Sequence, residues 1–182
     1  FFGNTEVNAA TSGTGSIGLF RLRHATIKLD WTKSSLTLGQ TWYPTFVPEV
    51  FPGVANFNTG IMFNPFGWAS QIRFRQKLSE QISLDLVAYK DREFTASSVT
   101  GTAPNAPTFN SSVPTLHGQL QFKNKKIIAG LGAEYQSLKP VIESGGLASD
   151  EKLNSTTVFG YFKYADDAIV TKLYGISGGN LT

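Results

Sequence analysis

LTLGQTWYPTFVPEVFPGVANFNTGIMFNPFGW, residues 36–68, opens as a strand and then leaves strand geometry altogether. Leu36 and Leu38 fall on one face of an extended segment, with Thr37, Gly39 and Thr41 on the other. A loop of about 25 residues follows, where connections of about 4–6 are usual. Pro44, Pro48, Pro52 and Pro65 fix φ and remove backbone donors, so the loop is not a flexible linker. Phe46, Phe51, Phe57, Phe63, Phe66 and Trp68 give it apolar surface to bury. A long loop with aromatic content of its own points to a lid or a binding loop. The plainer reading is a packed surface loop or a protein contact. The sharper one is a loop folded into the mouth of a β-barrel, narrowing it.

The flanking chain favours the barrel. In residues 18–31, GLFRLRHATIKLDW, Ala25, Ile27, Leu29 and Trp31 share one face, opposite Thr26, Lys28 and Asp30. Upstream the parity flips, because Phe20 and Leu22 alternate with Arg21 and Arg23. A one-residue slip turns every side chain over, and a bulge near residues 23–24 restores the pattern with both arginines inside. Later segments alternate in the same way. Ile72, Phe74 and Leu78 oppose Gln71, Arg73, Arg75 and Lys77; Ile82, Leu84, Leu86 and Ala88 oppose Ser83, Asp85, Tyr89 and Asp91. Strands are also expected over 115–123, 127–136, 156–164 and 168–175. Residues 4–16 read as a polar loop, and no stretch keeps a helical period. After that loop the connections run short, long, short, long, short, long, short, as outer-membrane barrels place short turns at one end and long loops at the other. Aromatic residues gather near strand ends, as interfacial girdles require.

Composition excludes several classes. Charged residues are 16% of 182, below the roughly 25% of soluble domains, yet only 41% are hydrophobic. No run approaches the ~20 apolar residues of a membrane-spanning helix. Strands alternating apolar and polar average to such values. The chain has no cysteine, hence no disulfide framework or thiolate chemistry. A net charge of +3 is too weak to argue for nucleic acid. No Met or signal pattern opens the chain, and it lacks the terminal aromatic residue expected of a complete barrel. Residues 1–182 therefore read as one partial β-barrel domain.

RLRHATIKLDW, LTLGQTWYPTF, FNTG…NPF and QIRFRQKL resemble the trimeric outer-membrane porins of the DcaP-like type over roughly residues 20–95. The resemblance implies a parent barrel of about sixteen antiparallel strands, a homotrimer, and the outer membrane of a Gram-negative bacterium with its lipid and lipopolysaccharide. It also implies that the LGQTW strand runs directly into a constriction loop, here residues 44–68. Pro44, Phe46, Glu49, Phe51 and Phe57 would then narrow the pore.

No G-x-S-x-G, HExxH or Walker pattern is present, and His24 and His117 lie far apart in sequence. The chain is read as a non-enzyme with no catalytic residue, cofactor or metal. The charges are more informative. Arg21, Arg23, Lys28, Arg73, Arg75 and Lys77, with Lys123 and Lys163, are expected to face the lumen, because a Lys or Arg on the lipid face near mid-bilayer costs ~2–4 kcal/mol. Such a lining selects anions; the opposing reading is that Asp30, Asp85, Asp91, Glu134 and Glu49 pair off these charges and leave a merely polar channel. The expected function is passive diffusion of small hydrophilic, carboxylate-like solutes. The alternative is a structural or accessory barrel subunit of an outer-membrane complex.

Overall fold

The computed structural model describes residues 2–8, 19–51, 66–91 and 106–179. Their strands are β1 (Phe2–Asn8), β2 (Leu19–Asp30), β3 (Ser34–Trp42), β4 (Trp68–Lys77), β5 (Ile82–Asp91), β6 (Thr115–Lys123), β7 (Ile127–Leu138), β8 (Glu143–Ser144), β9 (Leu147–Ala148), β10 (Leu153–Ala165) and β11 (Val170–Gly178). Nine of them form one sheet in the order β1-β2-β3-β4-β5-β6-β7-β10-β11, and β8 and β9 form a separate hairpin. Every pair of neighbours is antiparallel. The fold is all-β, and the sheet is open, with β1 and β11 at its edges. These two edge strands run in the same direction, so no antiparallel seam joins them.

Turn chemistry fixes the short connections. At 79–82 the Ser79 hydroxyl accepts from the Gln81 and Ile82 amides, at 3.2 and 3.0 Å. At 124–127 the Asn124 Oδ1 accepts from Lys126 and Ile127, at 2.9 and 2.7 Å. At 166–169 the Asp166 carboxylate accepts from Ala168 and Ile169, at 3.0 and 2.9 Å. The Tyr164 hydroxyl also donates to Asp166, and this bond, before the two amides, holds its carboxyl below the usual range. A side-chain oxygen thus takes up turn amides in three of these connections. They all lie at one end of the sheet, and the long connections at the other.

Register then sorts the side chains. One row across the sheet reads Ile27, Leu38, Ile72, Ala88, Leu116 and Tyr135. The adjacent row reads Lys28, Thr37, Arg73, Val87, His117 and Glu134. The two faces therefore alternate row by row. Ile27, Leu29, Ile72, Phe74, Leu84, Leu86, Leu120 and Leu131 share the apolar face; Ile72 is 57% and Leu131 73% exposed. Among the described side chains, Lys90 is the one charged residue in these apolar rows. It sits at a strand end, where its ammonium is held by the carbonyls of Thr108 and Ser111.

The strand over 2–8 departs from the reading of residues 4–16 as a loop. Its sequence, FGNTEVN, has large apolar residues only at Phe2 and Val7, so no apolar alternation announces it; backbone pairing with β2 holds it. Its partners pass from His24 at Asn4 to Leu22 at Thr5, which makes Arg23 the extra residue of a bulge. Two further elements sit in stretches read as loop. A short helix, α1 (Ala106–Asn110), packs on β7, with its Pro107 carbonyl accepting from the Lys139 amide at 2.9 Å. The hairpin of β8 and β9 turns on Gly145 and Gly146, both at positive φ (60° and 80°), as a type I′ turn requires.

Gly39 sits at a position in the sheet that tolerates no side chain. Its φ is 121°, and a Cβ there would stand 2.1 Å from the Ala25 carbonyl oxygen, a backbone atom with little freedom to move. Gly118, on the apolar face, has only an ordinary contact of 3.8 Å to Leu86. Gly39→Ala should lower stability by about 1–3 kcal/mol or more, while Gly118→Ala should leave it nearly unchanged. Urea unfolding of the refolded protein in detergent reads both.

Candidate functional site

The polar face is partly covered. β3 and β4 end with Trp42 paired to Trp68, and the Tyr43 amide donates to the Gly67 carbonyl at 2.9 Å, so the loop leaves and returns at adjacent points. From there residues 43–51 cross the polar face. Val47 and Val50 pack with Ile128, Phe159 and Tyr161, and Tyr174 and Ile176 lie against that cluster. These partners come from β7, β10 and β11, far across the sheet from β3. Room for the aromatic pair comes from Gly130 and Gly132: a Cβ at either would stand 2.4 Å from the Tyr161 or Phe159 ring. Polar bonds add to the docking. The Tyr174 hydroxyl donates to the Thr45 carbonyl at 3.0 Å, and the Lys172 ammonium to the Phe51 carbonyl at 2.8 Å.

Between this segment and β4–β6 lies a cleft of about 260 Å³. Pro44, Phe46, Val47 and Pro48 form its apolar wall; Arg73, Arg75, Lys77, Asp85, Gln119 and Lys123 form the other. Arg75 and Asp85 are direct cross-strand partners. The guanidinium donates through Nε to Oδ1 and through Nη2 to Oδ2, each at 2.6 Å, a forked pair. Arg73 donates through Nε to the Gln71 Oε1 at 3.1 Å and through Nη2 to the Trp42 carbonyl at 3.2 Å. Lys123 meets Glu49 at 3.4 Å, with both partners substantially exposed. The lining carries four cations (Arg73, Arg75, Lys77, Lys123) against three carboxylates (Glu49, Glu80, Asp85), a balance of +1.

A second polar group runs beside it. The buried His117 ring pairs through Nδ1 with Glu134 Oε1 at 2.9 Å, and the Tyr89 hydroxyl donates to the same oxygen at 3.1 Å. The other imidazole nitrogen faces the Gln119 amide at 3.3 Å. Gln119 and Gln121 both donate to the Tyr161 hydroxyl. Among the described residues no group of three His, Asp or Glu side chains is placed to hold a metal.

The expected pore residues separate. Arg73, Arg75 and Lys77 meet in the cleft with Pro44, Phe46 and Glu49. Phe51 instead meets Phe46 edge to face, with ring centroids 4.9 Å apart. Arg23 lies outside the cleft, its guanidinium 4.4 Å above the centroid of the Trp68 ring. Lys28 pairs with Asp30 at 2.7 Å on exposed strand. Arg21 is placed by its backbone, opposite Glu6. Phe57 lies outside the described residues. Two features were left unresolved by the sequence. The fork of Arg75 is already filled by Asp85, which neutralises it. The landing site of the loop was signalled by Ile128, Phe159 and Tyr161, apolar residues at polar-face positions.

No family model, curated protein or solved structure matches this chain.

Removing the apolar anchors should free the segment without dissolving the sheet. Each buried valine contributes about 1.5–3 kcal/mol of burial. The variant Val47→Asp/Val50→Asp should become cleavable by protease within 43–51, with strand content by circular dichroism unchanged. Wild-type protein should resist at that segment.

Proposed function

We propose that this chain is wall and constriction of an outer-membrane β-barrel channel, a porin for small hydrophilic solutes with a mild preference for anions. One observation carries the reading: all described charged side chains in the alternating rows of the sheet, Lys90 excepted, share the polar face. The opposite face exposes Ile, Leu, Val and Phe across many strands, whereas a soluble monomer usually keeps its contiguous apolar patches to a few hundred Å². A hydrocarbon environment removes that cost, and a charge on that face would add ~2–4 kcal/mol near mid-bilayer. In the nine-stranded sheet, the strands after β1 are 9 to 13 residues long, which suits a tilted crossing of about 9–11 residues.

The remaining parts are extensions of this proposal. The parallel sense of β1 and β11 supports a barrel that takes in more strands than these, about sixteen in porins of this kind. The outer membrane of a Gram-negative bacterium and a homotrimer come from the resemblance to DcaP-like porins. Residues 43–51 narrow the passage, and the +1 balance of the cleft beneath them sets its preference. The packing of Val47 and Val50 against the polar face supports a second reading, a plugged barrel serving as an accessory subunit of a complex. A barrel that inserts into a bilayer without conducting would favour it.

Reversal potential across a planar bilayer tests the charge balance. Wild type should be weakly anion-selective. Asp85→Asn raises the cleft balance from +1 to +2 and should strengthen that preference. Arg73→Ala/Arg75→Ala lowers it to −1 and should turn the channel toward cations. Salt should weaken every difference by screening. Cation selectivity in wild type, or no response to either variant, contradicts the reading.

A further inference from the structure

Both ends of the long loop meet at one histidine. Phe66, entering β4, packs on Trp68 with ring centroids 4.6 Å apart, and Phe46 packs on Phe66 at 5.0 Å and on Trp42 at 5.3 Å. His24, on β2 beside the bulge, stands edge-on to Trp42 at 4.7 Å. The hydrogen bonds of His24 define its protonation. An indole N–H can only donate, and the Trp68 Nε1 points at His24 Nε2 at 3.3 Å. Nε2 is therefore the bare, accepting nitrogen. The proton sits on Nδ1, which donates to the Thr41 hydroxyl at 3.1 Å. An imidazolium carries a hydrogen on both nitrogens and cannot accept from Trp68.

The surrounding charges oppose protonation as well. On its own strand the neighbour is Arg23, whose guanidinium lies over the Trp68 ring. On β4, Arg73 is bonded to the carbonyl of Trp42, the ring that His24 meets. β1 places Asn4 opposite His24. The crossing segment presents Phe46 to this cluster, while its Glu49 points away to Lys123. A second positive charge on the imidazole would add repulsion to the lost hydrogen bond.

We propose that His24 is the positioning residue of the inward segment: neutral, it holds residues 43–51 in place through Trp68, and protonated it lets them go. The step moves one proton, from solvent to Nε2, and trades the Trp68 N–H···N bond for an outward-turned N–H. The latch is closed while the imidazole is neutral and opens as pH falls through its titration. In a channel this gives acid-dependent control of the constriction, a consequence that rests on the porin reading; the latch itself does not.

Hydrogen exchange on the folded full chain tests it. The probes are the amides of Tyr43, Phe46 and Val50, bonded to the carbonyls of Gly67, Tyr43 and Val47. After correction for intrinsic rates, they should exchange severalfold faster at about pH 5 than at about pH 8, on either side of the histidine range, while β7 and β10 amides stay constant. Gln at position 24 can accept from Trp68 but does not titrate, so His24→Gln should be protected at both pH values. Trp68→Phe keeps an aromatic ring and removes the donor; it should exchange fast at both. Equal protection of wild type at the two pH values overturns the proposal, and so does a pH response that persists in His24→Gln. Because exchange needs no open pore, a chain that fails to conduct can still show the latch.

Discussion

Residues on adjacent rows of this sheet cannot trade faces without shifting the register of a whole strand. The rest of the structure depends on that constraint. Ile72 and Arg73 are consecutive in the chain and point into opposite worlds, one exposed among aliphatic side chains, the other bonded to Gln71 and the Trp42 carbonyl. Strand after strand repeats the division, so among the described side chains the sheet presents one surface uncharged but for Lys90 at a strand end, and one charged surface. Short turns closed by Ser79, Asn124 and Asp166 set the register that keeps the rows aligned.

The charged surface needs a cover at one place, and the loop between β3 and β4 supplies it. Its prolines and aromatics suit a compact path, and valines 47 and 50 carry it to an aromatic platform on β10. Phe159 and Tyr161 lie over β7 only because positions 130 and 132 are glycine. The cleft left below the segment is bounded by an apolar wall and by a wall of partly neutralised cations. The cleft therefore carries a small surplus of positive charge, not a row of free arginines.

The period of two made the strands of the sheet from β2 onward legible, along with their facing and even the bulge at Arg23, because burying one face leaves no freedom in the pattern. β1 was illegible because Thr5, Glu6 and Asn8 show no apolar alternation; α1 lies among polar residues. The β8–β9 hairpin did carry a signal, Gly145 and Gly146, lost in a strand only two residues long. The Arg75–Asp85 pair was within reach: both lie five positions from residue 80, in the middle of the turn. What no local pattern could give is the landing point of the loop, since contacts between residue 50 and residue 161 depend on the whole sheet between them.

The central claim is that the uncharged face meets lipid. Since the chain contains no cysteine, single cysteines can be placed at will and labelled with a nitroxide. Labels at positions 72, 86 and 131 occupy the apolar face, and labels at 83, 119 and 121 the polar one. After reconstitution into bilayers, collision with oxygen and with a water-soluble nickel complex reports lipid and water by electron paramagnetic resonance. Lipid contact should give oxygen-rich, nickel-poor signals at 72, 86 and 131, and lower oxygen access relative to nickel at 83, 119 and 121. Nickel access at 72, 86 and 131 equal to that of a soluble, water-exposed label would contradict it.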